Sequence, residues 1–270
     1  MKSGVTTVFI GGSTGESSSL TTDERKALAQ RWSEVIEGGP MRVVVHVGSN
    51  CLEDSRVLAA QAETVGAVAI SALAPSYFKP RSLDTLVACC EHVAAAAPST
   101  PFYYYDIPSL TGVSFSMAEF LAMARERVPT LAGLKFTNPD LMAYQLCLRA
   151  NDGQWDIPFG VDEHMLGALA MGARGAVGSG FNFAAPIYLR LISSFERGDL
   201  AQAREEQFRG VRLIQLFASM GYMAAAKAAM GMLGVNVGPA RLPNANLSGD
   251  QIASLRRELE TMGFFDWIKP

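Results

Sequence analysis

The sequence predicts an α/β fold, and within that class a barrel of parallel strands that alternate with helices. Short apolar segments typical of strands alternate with helical patterns from the start of the chain to residue 197. Seven such units follow one another at spacings of about 30 residues, which favours a (β/α) barrel over an open sheet. A closed barrel of this type needs eight strands, so either one strand is unrecognised or one unit is absent.

The strand segments are rich in Val, Ile, Phe and Tyr, which strands favour. They lie at residues 5–11, 42–48, 67–75, 101–108, 132–137, 158–162 and 175–180. The helices that follow them are predicted at residues 22–37, 52–65, 83–97, 117–128, 140–150, 165–171 and 187–197. Three further helices are predicted at residues 200–220, 223–233 and 248–262. We therefore expect residues 1–199 to form the barrel and residues 200–270 to form a helical extension of the same domain.

Composition excludes several classes of protein. The chain has 270 residues, 49% hydrophobic and 18% charged, as expected for a globular enzyme. With a net charge of -3 and no basic stripe, nucleic acid is not an expected partner. A membrane is not expected either, because no apolar run reaches the roughly 18 residues of a spanning helix. The N-terminal stretch lacks the apolar region of a secretory signal, so we expect a cytoplasmic protein with four reduced cysteines and no metal site.

The segment AGLKFT, residues 132–137, places a lysine within a predicted strand. Alternation with period two makes one face purely apolar and gives the other face Gly133, Lys135 and Thr137. One interpretation is a lysine at a strand end that reaches water or pairs with a carboxylate. The other is an amine kept neutral by desolvation in a pocket, where it can attack a carbonyl carbon.

Other candidate residues follow from the rule that the active site of such a barrel lies at the C-terminal ends of its strands. Ser13 and Thr14, in GGSTGE, either help to bind an anion or bond only to local backbone. Tyr105 shares a strand face with Tyr103 and is either a proton shuttle or a core aromatic residue.

The later strand ends leave alternatives open as well. Asp162 and Glu163 either bind sugar hydroxyls or, for Asp162, cap the next helix. His46 is interpreted as a structural histidine with both ring nitrogens satisfied, and a catalytic role is the less favoured alternative.

Six motifs, in order and together spanning nearly the whole chain, carry a resemblance to a known family. They are GSTGE at 12–16, YYYDIPSLTGV at 103–113, GLKFT at 133–137, GVDE at 160–163, GAVGS at 175–179 and RLP at 241–243. The set resembles the N-acetylneuraminate lyases, most of all the animal type, within the dihydrodipicolinate synthase group of class I pyruvate aldolases. Each motif alone is weak, and their order makes the resemblance specific.

The resemblance implies a role for each matching position. Lys135 would form the Schiff base, and Tyr105 would transfer protons. Ser13 and Thr14 would hold the substrate carboxylate. The sugar end would be lined by Thr137, Gly160, Asp162, Glu163 and Ser179. It also implies cleavage of N-acetylneuraminate to N-acetylmannosamine and pyruvate without metal or organic cofactor, in a TIM (β/α)8-type barrel with extra C-terminal helices, usually a homotetramer.

Departures from the family pattern keep two alternatives open. The family's first strand and helix have no counterpart before residue 5, which explains the count of seven and would leave unpaired strand edges. Asp106 stands where these lyases carry His or Asn, and a carboxylate there is expected to disturb the phenol or the anionic substrate. The alternatives are another pyruvate-dependent aldolase or synthase, or a non-catalytic paralogue that assembles with full-length subunits. The segment 107–113 has no arginine for a second carboxylate, which favours a sugar acid as substrate.

Overall fold

A computed structural model describes residues 4–269, and it divides into two compact units. The first unit comprises residues 6–161 and 170–177. The second comprises residues 4–5, 162–169 and 178–269. The predicted boundary at residue 199 remains a prediction.

The first unit is built on a parallel sheet whose strands follow one another in sequence order. The strands are β1 (Thr7–Ile10), β2 (Arg42–His46), β3 (Ala69–Leu73), β4 (Phe102–Asp106) and β5 (Leu131–Phe136). Single parallel bridges then join Phe136 to Phe159 and Phe159 to Ala176. These two bridges fall within the segments predicted as the sixth and seventh strands. Both segments are short because Pro158 has no N–H to donate and Gly160 and Gly175 disfavour extended pairing.

The alternation of strand and helix is confirmed. Helices α1 (Thr22–Ile36), α2 (Leu52–Thr64), α3 (Leu83–Ala94), α5 (Met117–Arg127), α6 (Leu141–Arg149) and α7 (Met165–Met171) begin and end within three residues of the predicted bounds. A one-turn helix, α4 (Pro108–Thr111), was not predicted. At the start of α1, Thr21 and Glu24 form a capping box.

Within residues 4–269 the sheet has an edge on each side. There, β1 is hydrogen-bonded to β2 only, and the segment at Ala176 is bridged to Phe159 only. The fold class is nevertheless that of the predicted (β/α) barrel, because the strands keep barrel order and each is followed by a helix.

The second unit is helical. Its main helices are α8 (Phe181–Glu196), α9 (Leu200–Ser219), α10 (Tyr222–Met232), α11 (Gly249–Met262) and α12 (Phe264–Trp267). Their core includes Phe183, Phe217, Leu255 and Phe264, all nearly inaccessible to solvent. Helix α8 begins six residues before the predicted Ile187, with a non-helical residue at Ala184 that accommodates Pro186.

None of the helices in the described residues combines the length and the apolar character needed to cross a membrane.

Candidate active site

Lys135 and Tyr105 lie side by side on the same face of the sheet. They are register partners on β5 and β4, and partners on adjacent parallel strands point the same way. Lys135 is only 5% exposed. Its Nζ donates a hydrogen bond to Thr137 Oγ1 at 3.0 Å and lies 3.5 Å from the centre of the Tyr105 ring. The predicted lysine is therefore a buried amine in contact with a phenol and a hydroxyl.

The Tyr105 hydroxyl faces the glycine-rich loop after β1. Ser13 Oγ lies 3.4 Å from Tyr105 Oη, at the long end of hydrogen-bonding distance. The Phe9 ring packs edge-on against the Tyr105 ring, with centroids 5.8 Å apart. Lys135 Nζ is also 5.1 Å from the Phe9 ring centre. Sequence reasoning missed Phe9, although the alternation of β1 would have placed it on this face.

Gly160 forms the next wall of this cluster. Its N–H donates to Phe136 O at 2.7 Å. A Cβ atom on Gly160 would lie 2.0 Å from Thr137 Oγ1, so a larger residue would displace the hydroxyl that holds Lys135. Thr14, by contrast, is exposed and makes no hydrogen bond within residues 4–269. The structure thus brings together most of the predicted residues of the first unit: Ser13, Tyr105, Lys135, Thr137 and Gly160.

Asp162, Glu163 and Ser179 belong to the second unit. Asp162 is buried, and its carboxylate accepts a hydrogen bond from the Gly180 N–H at 2.7 Å. This contact lies at the amino end of α8, not at the helix that follows Asp162 in sequence. Ser179 Oγ lies 2.5 Å from Tyr222 Oη, a partner that sequence reasoning missed. The role of Asp162, Glu163 and Ser179 at the sugar end therefore remains a prediction.

His46 corrects one expectation. Its Nδ1 hydrogen-bonds to Gly11 O at 2.8 Å, as expected for a structural histidine. Its Nε2, however, is buried without a hydrogen-bond partner in the described part of the chain. The prediction that both nitrogens are satisfied was therefore wrong. Side chains alternate between the two faces of a strand, so His46 points toward the face that carries the aromatic rings of Phe9 and Tyr105, which explains why Nε2 lacks a partner.

The Asp106 side chain was expected to disturb the Tyr105 phenol, but the two side chains point to opposite faces, because they are neighbours along one strand. Its side chain lies on the face of β4 that carries Tyr104, whose ring packs against Phe120. Asn138 Nδ2 donates to Asp106 Oδ2 at 3.4 Å. Burial raises the pKa of the Asp106 carboxyl from 3.8 to about 6.

The described residues contain no group of three or more His, Cys, Asp or Glu side chains that could hold a metal ion. The arrangement around Lys135 instead offers one amine, one phenol and two hydroxyls at short range. An amine of this kind can form an imine with a carbonyl compound, and a neighbouring phenol can move protons.

Comparison with known proteins places this geometry in a family. Residues 1–262 match the profile of the dihydrodipicolinate synthetase family. The N-acetylneuraminate lyase of Xenopus tropicalis is 41% identical over 261 residues, which are 96% of this chain and 85% of that protein.

Solved structures agree with this match. The N-acetylneuraminate lyase of Proteus mirabilis superposes with a TM-score of 0.94 at 39% identity, covering 97% of this chain and 88% of that one. The N-acetylneuraminate lyase, or sialic acid aldolase, of Aliivibrio salmonicida gives a TM-score of 0.94 at 41% identity, covering 97% and 87%. The chain belongs to the dihydrodipicolinate synthetase family.

Proposed function

We propose that this chain is a class I pyruvate aldolase that cleaves N-acetylneuraminate to N-acetylmannosamine and pyruvate. The observation that carries the proposal is the buried Lys135 amine, 3.5 Å from the Tyr105 ring centre. Relatives about 40% identical over most of the chain are named N-acetylneuraminate lyases, which supports the choice of substrate.

The reaction begins at Lys135. Its neutral amine attacks the ketone carbon of the open-chain sugar acid, and loss of water gives an iminium ion. The same atom lies over the Tyr105 ring and near the Phe9 ring. Because ring faces attract cations, they stabilise the positive charge that the iminium carries.

Tyr105 handles the protons. Its phenol gives its proton to the hydroxyl group that leaves as water when the iminium forms. The resulting phenolate then takes the proton of the C4 hydroxyl, directly or through Ser13, whose Oγ is 3.4 Å away. The C3–C4 bond then breaks, its electron pair moves into the iminium, and N-acetylmannosamine leaves as an aldehyde. Protonation of the resulting enamine at C3 and hydrolysis of the imine release pyruvate and restore the amine. The iminium is the electron sink, so the reaction requires neither a metal nor an organic cofactor.

The remaining assignments rest on the family resemblance. Ser13 and Thr14 hold the carboxylate, and Thr137, Gly160, Asp162, Glu163 and Ser179 contact the sugar end. A homotetramer in the cytoplasm is proposed on the same basis.

Reductive trapping tests the proposal. The purified chain is incubated with pyruvate and borohydride, and the modified peptide is mapped by mass spectrometry. We expect one adduct, on Lys135, that is lost in Lys135→Ala and kept in the control Lys79→Ala, which removes an exposed lysine. Release of pyruvate from N-acetylneuraminate is then followed in a coupled lactate dehydrogenase assay.

The same experiment separates the alternatives. Folded chain that forms no adduct would be a non-catalytic paralogue. An adduct without pyruvate release from N-acetylneuraminate would indicate another pyruvate-dependent aldolase or synthase.

A further inference from the structure

His46 lies at the C-terminal end of β2, next to Tyr105 of the proposed active site. It is 1% exposed. Its ring meets the Tyr105 ring edge-on, with centroids 5.7 Å apart and an interplanar angle of 88°. It also lies 6.1 Å from the Phe9 ring. His46 therefore packs against the ring of Tyr105, whose hydroxyl lies near Ser13.

The hydrogen bond of His46 fixes its tautomer. The Gly11 carbonyl oxygen can only accept, so the proton is on Nδ1, 2.8 Å away. Burial, together with the nearby Arg25 guanidinium, lowers the pKa of His46 to about 3. The ring is consequently neutral near neutral pH, with its one N–H directed at Gly11 O.

Gly11 is the residue from which the Ser13–Thr14 loop departs. Its φ of 64° is left-handed, a conformation that glycine adopts without steric cost. After it the loop closes through hydrogen bonds from Glu16 N to Ser13 O and from Ser17 N to Gly12 O. The His46 bond therefore holds the start of the loop that carries Ser13 toward Tyr105.

Arg25 anchors this arrangement from α1. Its Nη2 donates to His46 O at 2.8 Å, and its Nη1 donates to Gly48 O at 3.0 Å. Burial lowers the pKa of Arg25 to about 10, so it remains charged at neutral pH. Both bonds go to backbone oxygens and fix the end of β2, and Arg25 Nη2 also lies 3.5 Å from His46 Nδ1.

We propose that His46 is a positioning residue that couples two parts of the site, the Ser13–Thr14 loop and the Tyr105 phenol. The inference rests on the proposed function, in which the loop holds the carboxylate and the phenol moves the proton. The Nδ1–H bond sets the position of the loop, and the ring edge sets the position of the phenol. Loss of the donor should therefore weaken pyruvate binding, and loss of the ring should slow turnover.

Two substitutions separate these effects. Asparagine places an amide donor near the position of Nδ1 but has no ring, whereas leucine has neither. The reaction is followed in the reverse direction, in which pyruvate and N-acetylmannosamine are the substrates. We expect both His46→Asn and His46→Leu to lower kcat, and only His46→Leu to raise the KM for pyruvate, by about tenfold. Val45→Ala, a buried change on the opposite face of β2, is the control for lost stability and should leave KM unchanged.

Deuterium uptake of peptides covering residues 11–17 provides a readout that does not depend on activity. His46→Leu should increase uptake there, and His46→Asn should restore most of the protection. Equal uptake and equal KM in wild type and His46→Leu would overturn the inference, as would equal damage in both variants. If the wild-type chain forms no borohydride-trapped adduct, the proposed function fails instead, and the uptake difference still decides whether His46 holds the loop.

Discussion

Two buried ionisable side chains, Lys135 in the first unit and Glu206 in the second, are accommodated in opposite ways. Glu206, 0% exposed, accepts hydrogen bonds from Arg190, Gln202 and Arg209. Lys135 contacts a threonine hydroxyl and two ring faces. A carboxylate held by two guanidinium groups and an amide has a structural role. An amine among hydroxyls and rings can exist as amine, iminium or ammonium, which is what a Schiff-base nucleophile requires.

Replacing the lysine should show the largest effect. Lys135→Met removes the nucleophile while keeping an unbranched side chain, so cleavage should fall by about 10⁴-fold or more. The free energy of unfolding should stay the same or rise, since a buried amine is replaced by an apolar group. Steady-state kinetics and urea unfolding measure the two quantities. Turnover retained by this variant would contradict the Schiff-base assignment.

Removing the phenol should come next. Tyr105→Phe keeps the ring that faces Lys135 but deletes the oxygen near Ser13, so kcat should fall by about 10²- to 10⁴-fold. Trapping of pyruvate on Lys135 should persist, because solvent water can supply the proton that imine formation needs and the C4 proton transfer is not part of that step.

The adjacent Tyr104 supplies a matched control. It is equally buried, points to the opposite face of β4, and its hydroxyl has no hydrogen-bond partner in residues 4–269. Tyr104→Phe should leave kcat unchanged. A similar loss in both variants would mean that Tyr105 acts through packing and not through its oxygen.

The opposite pattern, a loss of stability without a loss of activity, is expected at Glu206. Glu206→Ala leaves Arg190 and Arg209 close together without their shared acceptor, and should lower the free energy of unfolding by about 2–3 kcal/mol. The expected loss is moderate because both arginines are partly exposed. The kinetic constants per folded molecule should not change. Glu206→Gln keeps the shape of the side chain and should lower the free energy of unfolding by less than Glu206→Ala does. Urea unfolding of both variants measures the difference.

Much of this comparison could be predicted from sequence, because it depends on local periodicity. The alternation of residues 132–137 was enough to place Lys135 and Thr137 on one face, and the helix bounds followed from caps and apolar spacing. The contacts of Phe9 and His46 could not be predicted in this way. They depend on how β1, β2 and β4 align with one another, and no single segment encodes that register.

A similar limit applies to α8 and to Asp162. The helix was predicted to begin at Ile187, whereas the first turns of α8 precede that residue and bend at Ala184. The partner of Asp162 lies 18 residues away, at Gly180, and only the tertiary structure brings the two together.

The smallest effect is expected at Asp106. This buried carboxylate accepts a hydrogen bond from Asn138 instead of from arginines, as Glu206 does, and it lies on the face of β4 opposite to the Tyr105 phenol. Its pKa is raised from 3.8 to about 6, so the folded chain binds the extra proton more tightly than the unfolded chain does. The stabilising contribution of Asp106 to the free energy of unfolding is therefore fully present below pH 3.8, and it is lost as the pH rises through about 6. Asp106→Asn should raise the free energy of unfolding by about 1–2 kcal/mol at pH 8 and by nearly nothing at pH 4. Parallel pH curves for the two proteins would contradict this. Unchanged kcat in the variant is expected as well, because Asp106 lies on the face of β4 opposite to Tyr105 and bonds to Asn138.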